Sequence, residues 1–315
     1  MDRLQSSYVS RREVLRGGLA VGAGALLARP VLGASDPALP LITKAIPASG
    51  EKLPVIGLGT DKFELDEREP ILAEIQRMQQ LGGKLIDTAA AYGDSETLIG
   101  EALAGSRERM FIATKLTASG GGFRGGGIGG QSSFERSLMR LRTAKIDLLQ
   151  VHNLDGVEAL LPLMQQWKQA GKIRYIGITT SRVAQHEQMI AYLRKYPLDF
   201  VQVDYSLDNR DAAKTLLPLA QDRHVAVLAN VPFGFGSLLR QAQARQLPPW
   251  AADIDVSSWG QFLLKYVVSH PAVTCAIPGS TQVAHLIDNQ AAARGRLPDE
   301  AMRRRMEQFW DSARG

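Results

Sequence analysis

At 315 residues, 45% hydrophobic and 22% charged, the chain has an ordinary soluble globular composition and room for one large domain or two average ones. Of its formal charge of +5, residues 1–34 contribute +3 (Arg3, Arg11, Arg12, Arg16 and Arg29 against Asp2 and Glu13), so the remainder is too weakly basic for a nucleic-acid footprint. The single cysteine, Cys275, excludes an internal disulfide framework and a cysteine-based metal cluster, and the five histidines lack ligand spacing, so no metal site is expected.

In chain order, residues 1–34 do not pattern as part of a fold. Ser10-Arg11-Arg12-Glu13-Val14-Leu15-Arg16 precedes an uncharged Gly/Ala-rich run over residues 17–28, and Val31-Leu32-Gly33-Ala34 follows. A basic stretch, a modest apolar core and a small-residue exit form a secretory leader, and paired arginines before a weak apolar core mark the twin-arginine class. The apolar run of 12 residues is short of the ~20 that span a bilayer, so no stable membrane anchor is expected. An amphipathic N-terminal helix or a retained anchor is the alternative. The leader implies the twin-arginine export machinery as a partner and the bacterial periplasm as the location, with residues 35–315 as the folded domain. Such a protein folds before export and does not rely on disulfides made afterwards, and Cys275 reads as a small buried hydrophobe.

Residues 42–59 hold two short apolar stretches around Ala48-Ser49-Gly50-Glu51, the pattern of a β-hairpin. Strand-like runs follow at residues 55–58, 84–87, 110–115, 147–152, 173–179, 200–203, 225–229 and 273–277. Helical patterns lie between them at 69–81, 95–103, 132–141, 157–170, 183–195, 211–222 and 257–270, with another at 283–293. Strands alternating with helices require parallel pairing, and closing the sheet removes its edges. The expected fold is α/β, a (β/α)8 TIM barrel with an N-terminal β-hairpin and an extra C-terminal helix at 299–313. A doubly wound open sheet is the alternative, but Gly57-Leu58-Gly59-Thr60 lacks the third glycine of its fingerprint.

Two stretches break the rhythm. Residues 119–130 carry eight glycines, and residues 231–256 contain Pro248-Pro249-Trp250. Both fall on the C-terminal face, where sites in this fold sit. The second reads as a lid or a plain surface loop. The first is no phosphate loop, because no Gly-Lys-Ser/Thr closes it. Phe63, Phe123, Phe235 and Trp250 are candidate pocket walls.

Ionisable residues end successive strands: Asp87, with Tyr92 in the loop beyond it, then Lys115, then His152. One such residue is commonly a helix cap or a solvated charge. Four of different type at neighbouring strand ends converge on one mouth of a closed barrel.

These residues carry a family resemblance. Ile86-Asp87-Thr88-Ala89-Ala90-Ala91-Tyr92-Gly93, with Glu96 and Ile99-Gly100, resembles the aldo-keto reductase signature around its catalytic Asp and Tyr. Ile112-Ala113-Thr114-Lys115 resembles its lysine motif. Ser137-Leu138-Met139-Arg140-Leu141 and Ile146-Asp147-Leu148-Leu149-Gln150-Val151-His152 resemble the segment ending in its histidine. The likeness runs from about residue 53 to 289. It implies an NAD(P)-dependent oxidoreductase that interconverts small carbonyls and alcohols, with Tyr92 as general acid, Lys115 and Asp87 tuning it, and His152 orienting the carbonyl. A free tyrosine has a pKa of about 10, and an adjacent ammonium lowers it. Monomer is the family's common habit.

The resemblance also implies cofactor contacts. Gly59, Thr60 and Asp61 match the turn after the first strand, and Gln202 matches the amide-binding glutamine. Thr179 and Thr180 stand where the family has Ser-Asn. Asn230 replaces a stacking tyrosine in Asn230-Val231-Pro232-Phe233-Gly234, so the stacking face comes from elsewhere, with Phe233 the candidate, or is absent. Pro278, Gly279 and Ser280, continuing to His285, Asp288 and Asn289, match the adenosine-phosphate grip. Gly279 and His285 replace the Lys and Arg of many NADPH-dependent members, which weakens the preference for the 2′-phosphate. The family nevertheless favours NADPH over NADH. The altered contacts at Thr180 and Asn230 support a competing reading, a non-catalytic nucleotide-binding or redox-sensing protein on the same scaffold.

Overall fold

A computed structural model describes residues 39–119 and 130–312. The expected leader and Phe123 lie outside the described residues.

The chain enters as an antiparallel hairpin, β1 (Thr43–Ala45) and β2 (Lys52–Pro54), with Lys44 opposite Leu53. Eight parallel strands follow: β3 (Leu58–Gly59), β4 (Leu85–Asp87), β5 (Phe111–Leu116), β6 (Ile146–Val151), β7 (Ile173–Thr179), β8 (Phe200–Asp204), β9 (Ala226–Asn230) and β10 (Val273–Ala276). Each pairs with its sequence neighbours. The two end strands meet across a seam, where the Gly57 amide donates to Ala276 O at 2.8 Å and the Gly59 amide to Pro278 O at 2.9 Å. Gly59 is a glycine for this reason: a Cβ there would lie 2.9 Å from the Ile277 carbonyl oxygen. The sheet is a closed barrel, as its alternating pattern predicts.

Helices α1 (Arg68–Gln80), α2 (Ser95–Ala102), α3 (Gln131–Arg140), α4 (Val157–Gln169), α5 (His186–Lys195) and α6 (Leu216–Asp222) separate the strands up to β9. After β9 come α7 (Ser237–Ala242) and α8 (Trp259–Ser269), then α9 (Val283–Ala291) after β10, and α10 (Glu300–Ser312). The last is the expected extra helix, burying Met306 and Trp310. Residues 231–256, expected to be loop, hold α7 and a 3-10 turn over Pro249–Ile254.

Successive strand residues face opposite ways, so the barrel divides its side chains by parity. One set packs outward against the helices. The other fills the interior: Leu85, Phe111, Ala113, Leu148, Tyr175, Phe200, Leu228 and Cys275, with Ile46 and Leu53 from the hairpin segment joining the same cluster. Two expected pocket walls belong to the packing instead. Phe63 is fully buried in the outer core. Trp250 packs 5.7 Å from both Phe262 and Phe309, with the Arg305 guanidinium 4.4 Å over its ring.

Candidate active site

The interior parity continues one layer higher with polar residues. Two positions beyond Leu85, Ala113, Leu148 and Phe200 stand Asp87, Lys115, Gln150 and Gln202, all buried. Lys115 is 1% exposed and Asp87 3%, so each needs a partner. The Lys115 ammonium donates to Asp87 Oδ2 and, at 2.8 Å, to the Thr88 carbonyl. Asp87 Oδ1 accepts from Gln202 Nε2 at 2.7 Å and, at the 3.5 Å limit, from Gln150 Nε2.

The loop after β4 brings Tyr92 over this pair. The Thr88 and Ala90 amides continue the ladder to Ala113 and Lys115, the Tyr92 amide closes a turn on Ala89 O, and Gly93 follows with φ +54°. A buried hydroxyl cluster pins the loop from below. Ser95 Oγ donates to Thr60 Oγ1 at 2.6 Å, Thr60 Oγ1 donates to Asp87 O at 2.9 Å, and Thr88 Oγ1 lies 2.9 Å from Ser95 Oγ. The Lys115 nitrogen sits 4.8 Å from the centre of the Tyr92 ring. His152, just past β6, meets the same ring edge-on, with centroids 5.7 Å apart and planes at 80°. Asp87, Tyr92, Lys115 and His152 are therefore brought together.

Burial sets the protonation states. It raises the Tyr92 phenol above its ordinary value, and the Lys115 ammonium opposes but does not reverse this. The sequence led to the expectation that Lys115 would lower the phenol overall; desolvation outweighs it. Burial pushes Lys115 down, and Asp87 and Tyr92 outweigh it, so the ammonium is held above its ordinary range. Burial, followed by repulsion from Lys115, pushes His152 down to about 3. The corner thus presents a protonated phenol, an ammonium and a neutral imidazole at neutral pH.

The residues matched to a cofactor are spread along the rim. Thr60 is buried and its hydroxyl serves the cluster beneath Asp87, while Asp61 is exposed. Thr179 Oγ1 donates to Gln202 Oε1 at 2.9 Å, and Thr180 Oγ1 donates to Gln185 Oε1 at 2.5 Å. Asn230 Nδ2 donates to Thr180 O at 3.0 Å and approaches Gln202 Oε1 at 3.4 Å. Asn230 Oδ1 is buried without a partner. A buried acceptor left open beside Gln202 suits a ligand that brings an N–H, as the carboxamide of nicotinamide does. Pro232 is buried and Phe233 packs on the core; Val231, Gly234 and Phe235 all have left-handed backbone, and Phe235 stands 80% exposed. In the loop after β10, Pro278 is buried, Gly279 is exposed, and Ser280 Oγ donates to Gln282 O at 3.1 Å. His285 is exposed on α9, Asn289 is buried, and Asp288 accepts from Ser258 Oγ and Gln261 Nε2, each at 2.7 Å. The Asp288 carboxylate therefore holds the start of α8.

Sequence reading passed over three features: the Gln150 and Gln202 bonds to Asp87, the hydroxyl cluster through Ser95, and Glu74. The last is an acid on the inward stripe of α1, Ile71, Glu74, Ile75 and Met78, and that stripe was its available signal.

A closed parallel barrel with a buried lysine–aspartate pair beneath a tyrosine and a neutral histidine at its C-terminal rim has the form of a barrel oxidoreductase. The model of the aldo/keto reductase family matches residues 55–310, and the chain belongs to that family. It is 31% identical over 256 residues to the methylglyoxal reductase YeaE of Escherichia coli (strain K12), covering 79% of this chain and 88% of that one. With the aldo-keto reductase YhdN of Bacillus subtilis (strain 168) it shares 34% identity over 202 residues, 59% of this chain and 58% of that one. An aldo-keto reductase from Klebsiella pneumoniae, solved in complex with NADPH, superposes with a TM-score of 0.72 at 25% identity, over 86% of this chain and 96% of that one.

Proposed function

We propose that this protein reduces a small aldehyde or ketone to an alcohol, with Tyr92 giving its proton to the carbonyl oxygen. The observation that carries this reading is the Lys115 ammonium 4.8 Å from the Tyr92 ring centre, with His152 edge-on to the same ring. When bound, the reduced nicotinamide supplies the hydride. Tyr92 enters as the neutral phenol, and Lys115 stabilises the phenolate left behind. Asp87 keeps Lys115 charged and in place. His152, neutral, hydrogen-bonds the carbonyl oxygen and orients it.

Gly59, Asp61, Thr179, Thr180, Gln202, Asn230 and the 232–234 turn would hold the nicotinamide half. Gly279, Ser280, His285 and Asn289 would hold the adenosine half. The NADPH complex of the Klebsiella relative supports NADPH over NADH here. Dissociation constants for the two reduced nucleotides, compared by fluorescence quenching, test this, and equal values overturn it.

The basic and apolar pattern of residues 1–34 supports a twin-arginine leader and export, folded, to the periplasm, with the nucleotide carried along or regenerated in place; a monomer is inferred from the family's habit. Protein purified from periplasm that holds no nucleotide and binds none would defeat that account.

The decisive test of the reaction follows 340 nm absorbance with a panel of aldehydes and quinones. Methylglyoxal is included because of the similarity to YeaE. Tyr92→Phe should lower kcat by about 10²–10⁴, the usual contribution of a general acid, while leaving the nucleotide affinity within about twofold. Turnover that survives Tyr92→Phe would overturn the assignment.

A further inference from the structure

Glu74 is the one acid on the inward face of α1, and it has no exposed surface. Neither carboxyl oxygen has a hydrogen-bond partner, and among the described residues no lysine or arginine pairs with it. A sealed carboxylate in that state is strongly disfavoured. Its polar neighbour is the Ser280 side chain, part exposed in the loop after β10, whose hydroxyl is turned to Gln282 O. Glu74 thus lies behind the residue expected to meet the ribose phosphate.

The surrounding charges leave it uncompensated. Glu67, in the turn before α1, is the charge that bears on it, and its sign is the same. From α9, His285 is exposed and Asp288 is held by Ser258 and Gln261. From α2, Glu96 is bonded to Arg140 and Thr114, and Glu101 is paired with Arg68. Asp61, whose carboxylate lies 3.4 Å from where a Gly279 Cβ would stand, is paired with Lys62 at 3.9 Å.

We propose that Glu74 is a specificity-determining residue for the nucleotide: its ionised form opposes a ribose 2′-phosphate behind Ser280, and its protonated form admits one. This rests on reading the loop after β10 as the adenosine-phosphate grip. Burial pushes the carboxyl up to about 7, with Ser280 offsetting it and Glu67 adding to it, so the two forms exchange near neutrality. A phosphate close by raises it further. NADPH binding therefore takes up a proton that NADH, with a neutral hydroxyl at the same position, does not require.

The test measures dissociation constants of NADPH and NADH by fluorescence quenching on the purified protein between pH 6 and 9. NADPH should weaken about eightfold from about pH 6.5 to 8 while NADH stays within about twofold, as linkage to one group titrating near neutrality requires. Glu74→Gln, neutral at every pH, should flatten the NADPH curve and keep it at its tight limit. His285, exposed on α9 beside the same grip, is the competing source of a pH slope in NADPH binding. A slope that persists in Glu74→Gln and vanishes in His285→Asn overturns the proposal. Calorimetry in two buffers of different ionisation enthalpy gives a readout on the wild type alone: more protons taken up with NADPH than with NADH at pH 7.5. Equal uptake overturns it. Flat, tight binding of both nucleotides sinks Glu74 and leaves the reductase reading standing, whereas binding of neither sinks both.

Discussion

Gln202 Nε2 donates to Asp87 Oδ1 at 2.7 Å, while Gln202 Oε1 accepts from Thr179 Oγ1 and is approached by Asn230 Nδ2. The residue matched to the nicotinamide carboxamide is therefore also a bracket between the buried carboxylate and the rim. Its two roles separate experimentally, because the bracket exists without any nucleotide.

Gln202→Leu leaves Asp87 Oδ1 with only the long bond from Gln150. Losing a donor to a buried charged group costs about 1–3 kcal/mol, and that loss should appear in urea unfolding of nucleotide-free protein. Gln202→Glu should be worse, since it sets a second carboxylate against Asp87. Unchanged stability in nucleotide-free Gln202→Leu would show that the amide serves the cofactor alone.

Lys115→Met should destabilise the fold by about 3–5 kcal/mol, because it leaves Asp87 buried and charged without its cation. Adding Asp87→Asn should recover most of that loss, since the pair is then removed together. Activity should be lost in both variants, because the phenolate of Tyr92 has no ammonium to receive it. If the double variant is no more stable than Lys115→Met, the Lys115–Asp87 pair is not what holds this layer.

Much of the architecture was legible because strands buried on both faces read as unbroken apolar runs. Ile173–Thr179 is placed residue for residue, and the run at 200–203 extends by one residue, to Asp204. The first barrel strand departs from its expected 55–58, since regular pairing is confined to Leu58–Gly59 and residue 56 joins β10 only as an isolated bridge. Helix α7 went unread because six residues hold too little periodicity, and nothing in Val231 or Phe235 announces a left-handed backbone that such residues rarely adopt. Asp87, Lys115 and His152 stood out as ionisable groups at the ends of apolar runs. The Gln150 and Gln202 bonds to Asp87 needed the strand register, which no local pattern encodes.

The protonation states of the site predict a flat acid limb. With His152 held at about 3 and Tyr92 above its ordinary value, neither titrates in the physiological range. At saturating NADPH, kcat should vary by less than about twofold from about pH 5.5 to 8.5, once the ordinary imidazole range is removed from play. An inflection near the ordinary histidine pKa of about 6.5 that disappears in His152→Asn would mean the imidazole is charged in the working enzyme.

Glu74 also predicts how stability depends on pH, apart from any ligand. Its folded value is about 7 against an ordinary 4.5, so the folded chain holds the proton more tightly than the unfolded one. Below about pH 4.5 both states are protonated, and Glu74→Gln should match the wild type, since a carboxyl and a carboxamide are both neutral and nearly the same shape. Between 4.5 and 7 the unfolded chain releases the proton while the folded chain keeps it, and wild-type stability falls, levelling off above 7. The Gln variant escapes this decline and should exceed the wild type by about 3 kcal/mol at pH 8, the energy of the proton's preference for the folded state. Urea unfolding of both proteins at pH 4 and pH 8 measures the difference directly. A Gln variant no more stable than wild type at pH 8 would show that Glu74 ionises in place at little cost, with water or a counter-charge reaching the space between α1 and Ser280.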